Sequence, residues 1–295
     1  MIDPLVIVFG LGVGVLIGLT GIGGGSLMTP LLILFAGVQP VVAIGTDLAY
    51  GAITKTLGGW RHVRNGTVDL GVSKWLALGS VPGSIAGVVV VDRLHDRYGD
   101  RFDSTLLSII AAALLVVALS VLARALLMRP REHHSVALTP RAKTGAAGIG
   151  LVLGVILGMT SVGSGALVGL ALIMVFRLTP HRVVGTDVFH AALMLWAAGL
   201  AHLFVGNVDL LLMANILAGS LPGVWVGTAL LPRVPAAALR PALGCVLLGS
   251  SLGVMSKAGA DVPTWTVVGV PALVGLLIYA LRRLRPAPAP EVATA

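Results

Sequence analysis

Long apolar stretches separated by short polar breaks dominate the chain. The stretches lie at about residues 5–36, 41–60, 70–91, 104–128, 144–176, 183–204, 208–231, 241–257 and 264–281. Most of them approach the ~20 residues that an α-helix needs to cross the hydrocarbon core of a bilayer. The pattern therefore predicts an all-α protein that crosses a membrane several times.

Two of the stretches are too long for one crossing. Residues 5–36 and 144–176 would each extend ~48 Å as a continuous helix, against a core of ~30 Å. Each is interrupted midway by glycine and hydroxyl residues, in Thr20-Gly21-Ile22-Gly23-Gly24-Gly25-Ser26 and in Thr160-Ser161-Val162-Gly163-Ser164-Gly165. Glycine costs about 1 kcal/mol relative to alanine in a helix interior. We therefore predict that each long stretch forms two half-length helices that meet at a break.

The second half of the chain repeats the first at an offset of 140 residues. The matching segments are Gly18-Leu19-Thr20 with Gly158-Met159-Thr160, Ile44-Gly45-Thr46-Asp47 with Val184-Gly185-Thr186-Asp187, and Val68-Asp69-Leu70 with Val208-Asp209-Leu210. The repeat predicts a duplication. The predicted organisation is a first copy at 1–128, a linker at 129–143, a second copy at 144–258, an additional helix at 259–285 and a disordered tail at 286–295.

The distribution of basic residues indicates the topology. Of the Lys and Arg residues, 19 lie outside the centres of the spans. If both long stretches turn back within the membrane, 15 of the 19 lie on the same side as the basic linker. If both stretches cross completely, only nine do. Basic residues favour the cytoplasmic side. We therefore predict seven crossing helices and two re-entrant hairpins, with the N-terminus outside and the C-terminus in the cytoplasm. The two copies are then inverted, an arrangement that places transporter sites near the membrane midplane.

The composition excludes several classes of protein. Hydrophobic residues make up 57% and charged residues 11% of the chain, whereas soluble domains carry roughly 25% charged residues. A soluble enzyme, a disordered chain and a nucleic-acid-binding module all fit poorly, and the net charge of +8 follows from the basic membrane flanks. With one cysteine and no metal-ligand or nucleophile spacing, we expect no enzyme activity, metal or cofactor.

The two breaks predict an anion site. In a re-entrant hairpin the second helix begins inside the membrane, where its first N–H groups are unpaired and carry the positive end of the helix dipole. The candidate binding residues are Thr20, Gly23, Gly24, Gly25, Ser26, Thr160, Ser161, Gly163, Ser164 and Gly165, with Thr46 and Thr186 lining the cavity. The alternative is that these glycines only allow close helix packing, which we favour for the isolated Gly10, Gly12, Gly14, Gly150 and Gly154.

Four further polar residues lie within predicted spans, and each has two interpretations. Asp47 and Asp187 either handle a coupling proton or cation, or cap helices that start one turn in. His190 either relays protons or packs with a hydrogen bond. Lys55 either attracts anions or, as we favour, extends its ammonium to the membrane interface.

The motifs resemble those of the sulfite exporter TauE/SafE family of bacterial membrane transporters. The resemblance rests on Gly21-Ile22-Gly23-Gly24-Gly25-Ser26, Ala43-Ile44-Gly45-Thr46-Asp47-Leu48, Gly66-Thr67-Val68-Asp69 and Gly79-Ser80-Val81-Pro82-Gly83, with their counterparts in the second half. It implies a multi-pass inner-membrane protein that moves small anions, with sulfite and organosulfonates such as sulfoacetate as substrates.

The sequence as a whole predicts a secondary transporter that exports a small, sulfur-containing anion across the bacterial inner membrane by alternating access. The alternative is a cation-selective channel or permease that uses the two intramembrane aspartates as ligands. The expected partners are the anion and the lipid bilayer, and no nucleic acid. The coupling ion, a proton or sodium, and a homodimeric state are left open.

Overall fold

The protein is built from α-helices. The structure, a computed structural model, describes residues 3–20, 25–127, 139–230 and 236–284, and these contain no β-strand. The helices are α1 (Pro4–Thr20), α2 (Gly25–Leu34), α3 (Pro40–Arg64), α4 (Leu70–Tyr98), α5 (Asp100–Leu127), α6 (Pro140–Thr160), α7 (Leu167–Met174), α8 (Pro180–Phe204), α9 (Leu210–Leu230), α10 (Ala236–Lys257) and α11 (Thr264–Leu284).

The helices have the composition of a membrane protein. Six of those described are long and apolar enough to cross a bilayer, namely α4, α5, α6, α8, α9 and α11. The prediction of an all-α polytopic membrane protein is therefore confirmed. The six include α6 but neither α3 nor α10, so the predicted set of seven crossing helices stays a prediction.

The first long stretch doubles back. The ring centroids of Phe9 in α1 and Phe35, just after α2, lie 5.5 Å apart, whereas 26 residues of continuous helix would separate them by ~39 Å. The chain therefore returns to the level at which α1 begins.

The second long stretch doubles back as well. Helices α4 and α6 run side by side in the same direction, so Asp69, just before α4, lies beside the start of α6. The backbone N–H of Asp69 donates to Thr186 Oγ1 at 2.8 Å, and Arg182 Nη1 lies 3.4 Å from Asp69 Oδ2. The start of α8 is thus level with the start of α6, and both long stretches form hairpins.

The arms of these hairpins are unequal, so the prediction of half-length helices was wrong. Helix α1 has 17 residues and α6 has 21, against 10 in α2 and 8 in α7. Each glycine break lies near the midpoint of its long stretch. The stretch continues past the end of α2 or α7, however, and its last residues lie in the loop that leads to the next helix. Each hairpin therefore combines a long arm with a short arm of ~12 to 15 Å.

Corresponding helices of the two copies pack against each other in opposite directions. On α3 and α8 the pairs in contact, in chain order along α3, are Gly45 with His202, Gly51 with Leu195 and Gly58 with Val188. Helices α5 and α10 are also antiparallel, since Gly244 lies against Leu122 and Ser251 Oγ donates to the Ala111 carbonyl. Antiparallel contact between equivalent helices is the relation that inverted copies require.

Small residues allow the remaining helices to approach closely. A Cβ atom at Gly14 of α1 would lie 2.3 Å from the Ser220 carbonyl oxygen of α9, and one at Gly154 of α6 would lie 2.3 Å from that of Ser80 in α4. Gly10 and Gly150 make similar contacts, which supports their predicted packing role. Gly12 does not, because nothing lies within 4 Å of the corresponding position.

The predicted linker overlaps the start of a helix. Helix α6 begins at Pro140, inside the predicted range 129–143, because Thr139 Oγ1 accepts from the Ala142 N–H and caps the first turn. Residues 128–138 and the predicted tail at 286–295 lie outside the described residues.

Candidate functional site

Asp47 lies in the interior of α3 and is fully buried. Helix α3 begins at Pro40 with Gln39 as its N-cap residue, so Asp47 is two turns in. Asp187 occupies the same position in α8, which begins at Pro180. The interpretation of the two aspartates as helix caps was therefore wrong, because a proline favours the first helical position and starts each helix earlier than assumed.

Two hydroxyl groups converge on the carboxylate of Asp47. Thr29 Oγ1 in α2 donates to Asp47 Oδ2 at 2.6 Å, and Ser161 Oγ at the second break donates to the same oxygen at 2.8 Å. The other oxygen, Oδ1, is buried and has no hydrogen-bond partner among the described residues. Since Ser161 belongs to the second copy, the two copies share this site.

The second break has an irregular backbone that the sequence explains. Ser161 ends α6 in the left-handed conformation with a φ of 58°, and Gly163 and Gly165 follow with φ values of 117° and 97°. Glycine adopts positive φ without the steric cost that other residues meet. The segment is entirely buried, and none of the hydrogen bonds found among the described residues uses the N–H groups of Ser164, Gly165 or Ala166.

The first break is described only in part. Gly23 and Gly24 lie outside the described residues, as does the side chain of Thr20. Gly25 begins α2, and Ser26 is buried with no partner for its hydroxyl group among the described residues. Ser164, close to the start of α7, has a buried hydroxyl in the same condition. Each short helix thus begins beside a buried serine hydroxyl that no described residue bonds.

Thr46 and Thr186 connect the two copies. Thr46 Oγ1 accepts from the backbone N–H of Asp209 at 3.0 Å, just before α9, and Thr186 Oγ1 accepts from that of Asp69, just before α4. Thr160 bonds within its own segment, donating to the Ile156 carbonyl at 2.6 Å. These hydroxyl groups join neighbouring segments, and none of their hydrogen bonds within the described residues reaches the Asp47 carboxylate.

The two aspartates do not meet. Helices α3 and α8 are antiparallel, and Gly58 of α3 lies against Val188 of α8. Asp187 is therefore level with the part of α3 just after Gly58, which is ~18 Å along the helix from Asp47. His190, one turn on from Asp187, is buried with its Nε2 3.2 Å from Ser80 Oγ in α4. The residues predicted for ion coupling therefore form two separate groups.

Lys55 is buried, so the prediction that its ammonium reaches the interface was wrong. The residue is 8% exposed and Nζ has no hydrogen-bond partner among the described residues. Asp187 and Asp47 both attract it electrostatically. The spacing of four residues in Asp47, Gly51 and Lys55 could have indicated this, since such residues share one face of a helix.

Fold and site together define a polytopic α-helical membrane protein with two hairpins and buried polar groups between its copies. The family profile described as "Sulfite exporter TauE/SafE" matches residues 6–254. The chain belongs to this family of membrane transporters, as its motifs predicted.

Individual relatives agree with this assignment. The chain is 38% identical over 249 residues to the probable membrane transporter protein YjnA of Bacillus subtilis, covering 84% of this chain and 97% of the relative. It is 27% identical to the probable membrane transporter protein YdhB of the same organism (80% and 95%), and 25% identical to a probable membrane transporter protein of Xylella fastidiosa (88% and 98%). No solved structure matches the chain.

Proposed function

We propose that the protein is a secondary transporter that exports a small oxoanion, sulfite or an organosulfonate such as sulfoacetate, across the bacterial inner membrane. Membership in the family supports the substrate class. The observation that carries the proposal is that α2 and α7 both begin beside buried serine hydroxyls, at Ser26 and Ser164, for which the described residues provide no partner. Backbone N–H groups at such helix starts bind oxoanions without a basic side chain.

Alternating access would use the contacts between the two copies. At one end, Asp69 joins Thr186 and Arg182, and at the other, Asp209 joins Thr46. Under the predicted topology, with the N-terminus outside and the C-terminus in the cytoplasm, the first set faces the cytoplasm and the second faces outward. Opening one set while the other stays closed would expose the site to each side in turn.

Efflux of sulfite and sulfoacetate from proteoliposomes tests the proposal directly. We expect Ser164→Leu to abolish efflux, because the larger side chain would fill the space at the start of α7. The matched control is Ser120→Leu, which changes a partly exposed serine whose hydroxyl donates to the Val116 carbonyl within α5. Normal efflux by the Ser164 variant would rule out this anion site.

A cation-selective channel or permease is the alternative function. It is favoured by the two hydroxyls around Asp47, since carboxylate and hydroxyl oxygens also suit small hard cations. Reversal potentials in planar bilayers separate the two functions. A passive cation current would support the channel, whereas anion flux without such a current would support the exporter.

A further inference from the structure

Lys55 lies on the same side of Asp47 as the start of α2. Helices α2 and α3 are joined by only five residues, 35–39, and therefore run in opposite directions. Thr29 of α2 contacts Asp47, so the start of α2 lies on the same side of Asp47 as Lys55 does. Lys55 is therefore buried within the protein, at a level of α3 between those of the two aspartates.

The charges along α3 and α8 support this placement. Lys55 is ~12 Å along α3 from Asp47 and about one turn from the level of Asp187. A buried ammonium is stable only where opposite charges or hydrogen-bond acceptors compensate for its lost hydration. The two aspartates attract it, but no hydrogen bond to Nζ forms within the described part of the chain. The ammonium is thus attracted by two carboxylates but has no hydrogen-bond acceptor among the described residues.

The second copy does not repeat this charge. The residue 140 positions after Lys55 is Leu195. Leu195 packs against Gly51, where an added Cβ atom would lie 3.2 Å from a methyl group of the leucine. The duplication therefore provides two helix starts but one interior ammonium. A purely structural ion pair within each copy would not explain a lysine at one position and a leucine at the other.

We propose that the Lys55 ammonium binds the transported anion directly and selects for negative charge, while the nearby carboxylates of Asp47 and Asp187 keep it stable when no anion is bound. This inference rests on the proposed function and names the side chain that determines substrate charge. An oxoanion at the starts of α2 and α7 supplies the acceptor that Nζ lacks. A neutral molecule of similar size leaves the charge of the site unchanged and gains no such contact.

Binding of sulfite and of sulfoacetate to the purified full chain tests this inference by titration calorimetry in nanodiscs. We expect Lys55→Met to weaken binding of both anions about tenfold or more, because a charge-assisted hydrogen bond is lost. Lys55→Arg should retain most of the affinity. The matched control is Lys74→Met in α4, where the lysine is exposed.

The double variant Lys55→Met/Asp187→Asn separates a binding role from a structural one. If Lys55 only balances the aspartates, removing both charges restores stability and anion binding together. If Lys55 binds the anion, the thermal midpoint recovers and binding does not. Restored binding in the double variant, or unchanged binding in a folded Lys55→Met protein, would overturn the inference alone. An unmodified chain that binds neither anion would overturn the proposed function as well.

Discussion

The pair of hydroxyl groups on Asp47 allows a quantitative test of the site. Thr29→Val and Ser161→Ala each remove one donor from the same oxygen, Oδ2, without adding bulk. A hydrogen bond to a charged group contributes about 1.5 to 3 kcal/mol, against about 1 kcal/mol for a neutral pair. We expect each single variant to lower the free energy of unfolding by an amount in the upper range, because the carboxylate is buried.

The double variant should lose more than the sum of the single variants. With one hydroxyl donor removed, the other still bonds to Oδ2, but with both removed the buried carboxylate keeps only the backbone N–H of Thr29 and the attraction of Lys55. Groups that share a partner typically show interaction energies of about 0.5 to 3 kcal/mol. Unfolding in mixed micelles with increasing SDS measures all four proteins of the cycle.

Matched controls are available at positions that are at least partly exposed. Thr228 and Ser120 have hydroxyls that bond only to carbonyls of their own helices, at 2.7 Å each. Thr228→Val and Ser120→Ala should change the free energy of unfolding by less than about 0.5 kcal/mol. If the Thr29 and Ser161 variants behave like these controls, singly and together, the carboxylate does not depend on the two hydroxyls and the reasoning fails.

Three further predictions concern the fold. Gly79→Leu should prevent stable folding, since a Cβ atom there would lie 1.8 Å from a carbonyl oxygen of α6. Gly12→Leu should fold normally, because nothing lies within 4 Å of the corresponding position. The thermal midpoints of the two variants measure the difference. Cysteines at Phe9 and Phe35 should cross-link with a short bifunctional maleimide, and failure to do so would contradict the first hairpin. Lys257→Met should increase proteolysis near α2, because Lys257 donates to a carbonyl at the end of that helix; unchanged protection would contradict this role.

The helix positions could be predicted largely because the repeat fixes them. Helices α3 and α8 begin at Pro40 and Pro180, and α4 and α9 at Leu70 and Leu210, all at the offset of 140. The local signals are strong at these points, since proline starts a helix and a preceding aspartate caps it. Asp69, for example, accepts from the N–H of Val72.

The environment of single side chains could not be predicted in the same way. Whether Lys55 reaches the interface depends on which helix covers it, and the covering residues of α8 lie more than 100 positions away. The partnership of Ser161 with Asp47 likewise joins the two copies across 114 positions. Hydropathy along the chain indicates which segments lie in the membrane. The contacts of single side chains depend instead on how those segments pack against each other.

Helix directions provide a test of the re-entrant topology that is independent of charge. Helix α4 runs opposite to α3, to which five residues join it, and α6 runs parallel to α4. If α7 continued in the direction of α6 across the membrane, α8 would return parallel to α3, whereas the contacts show α8 antiparallel to α3. The chain must therefore reverse between α6 and α7. This reversal buries the segment that leads into α7, where the N–H groups of Ser164, Gly165 and Ala166 take part in none of the hydrogen bonds found among the described residues.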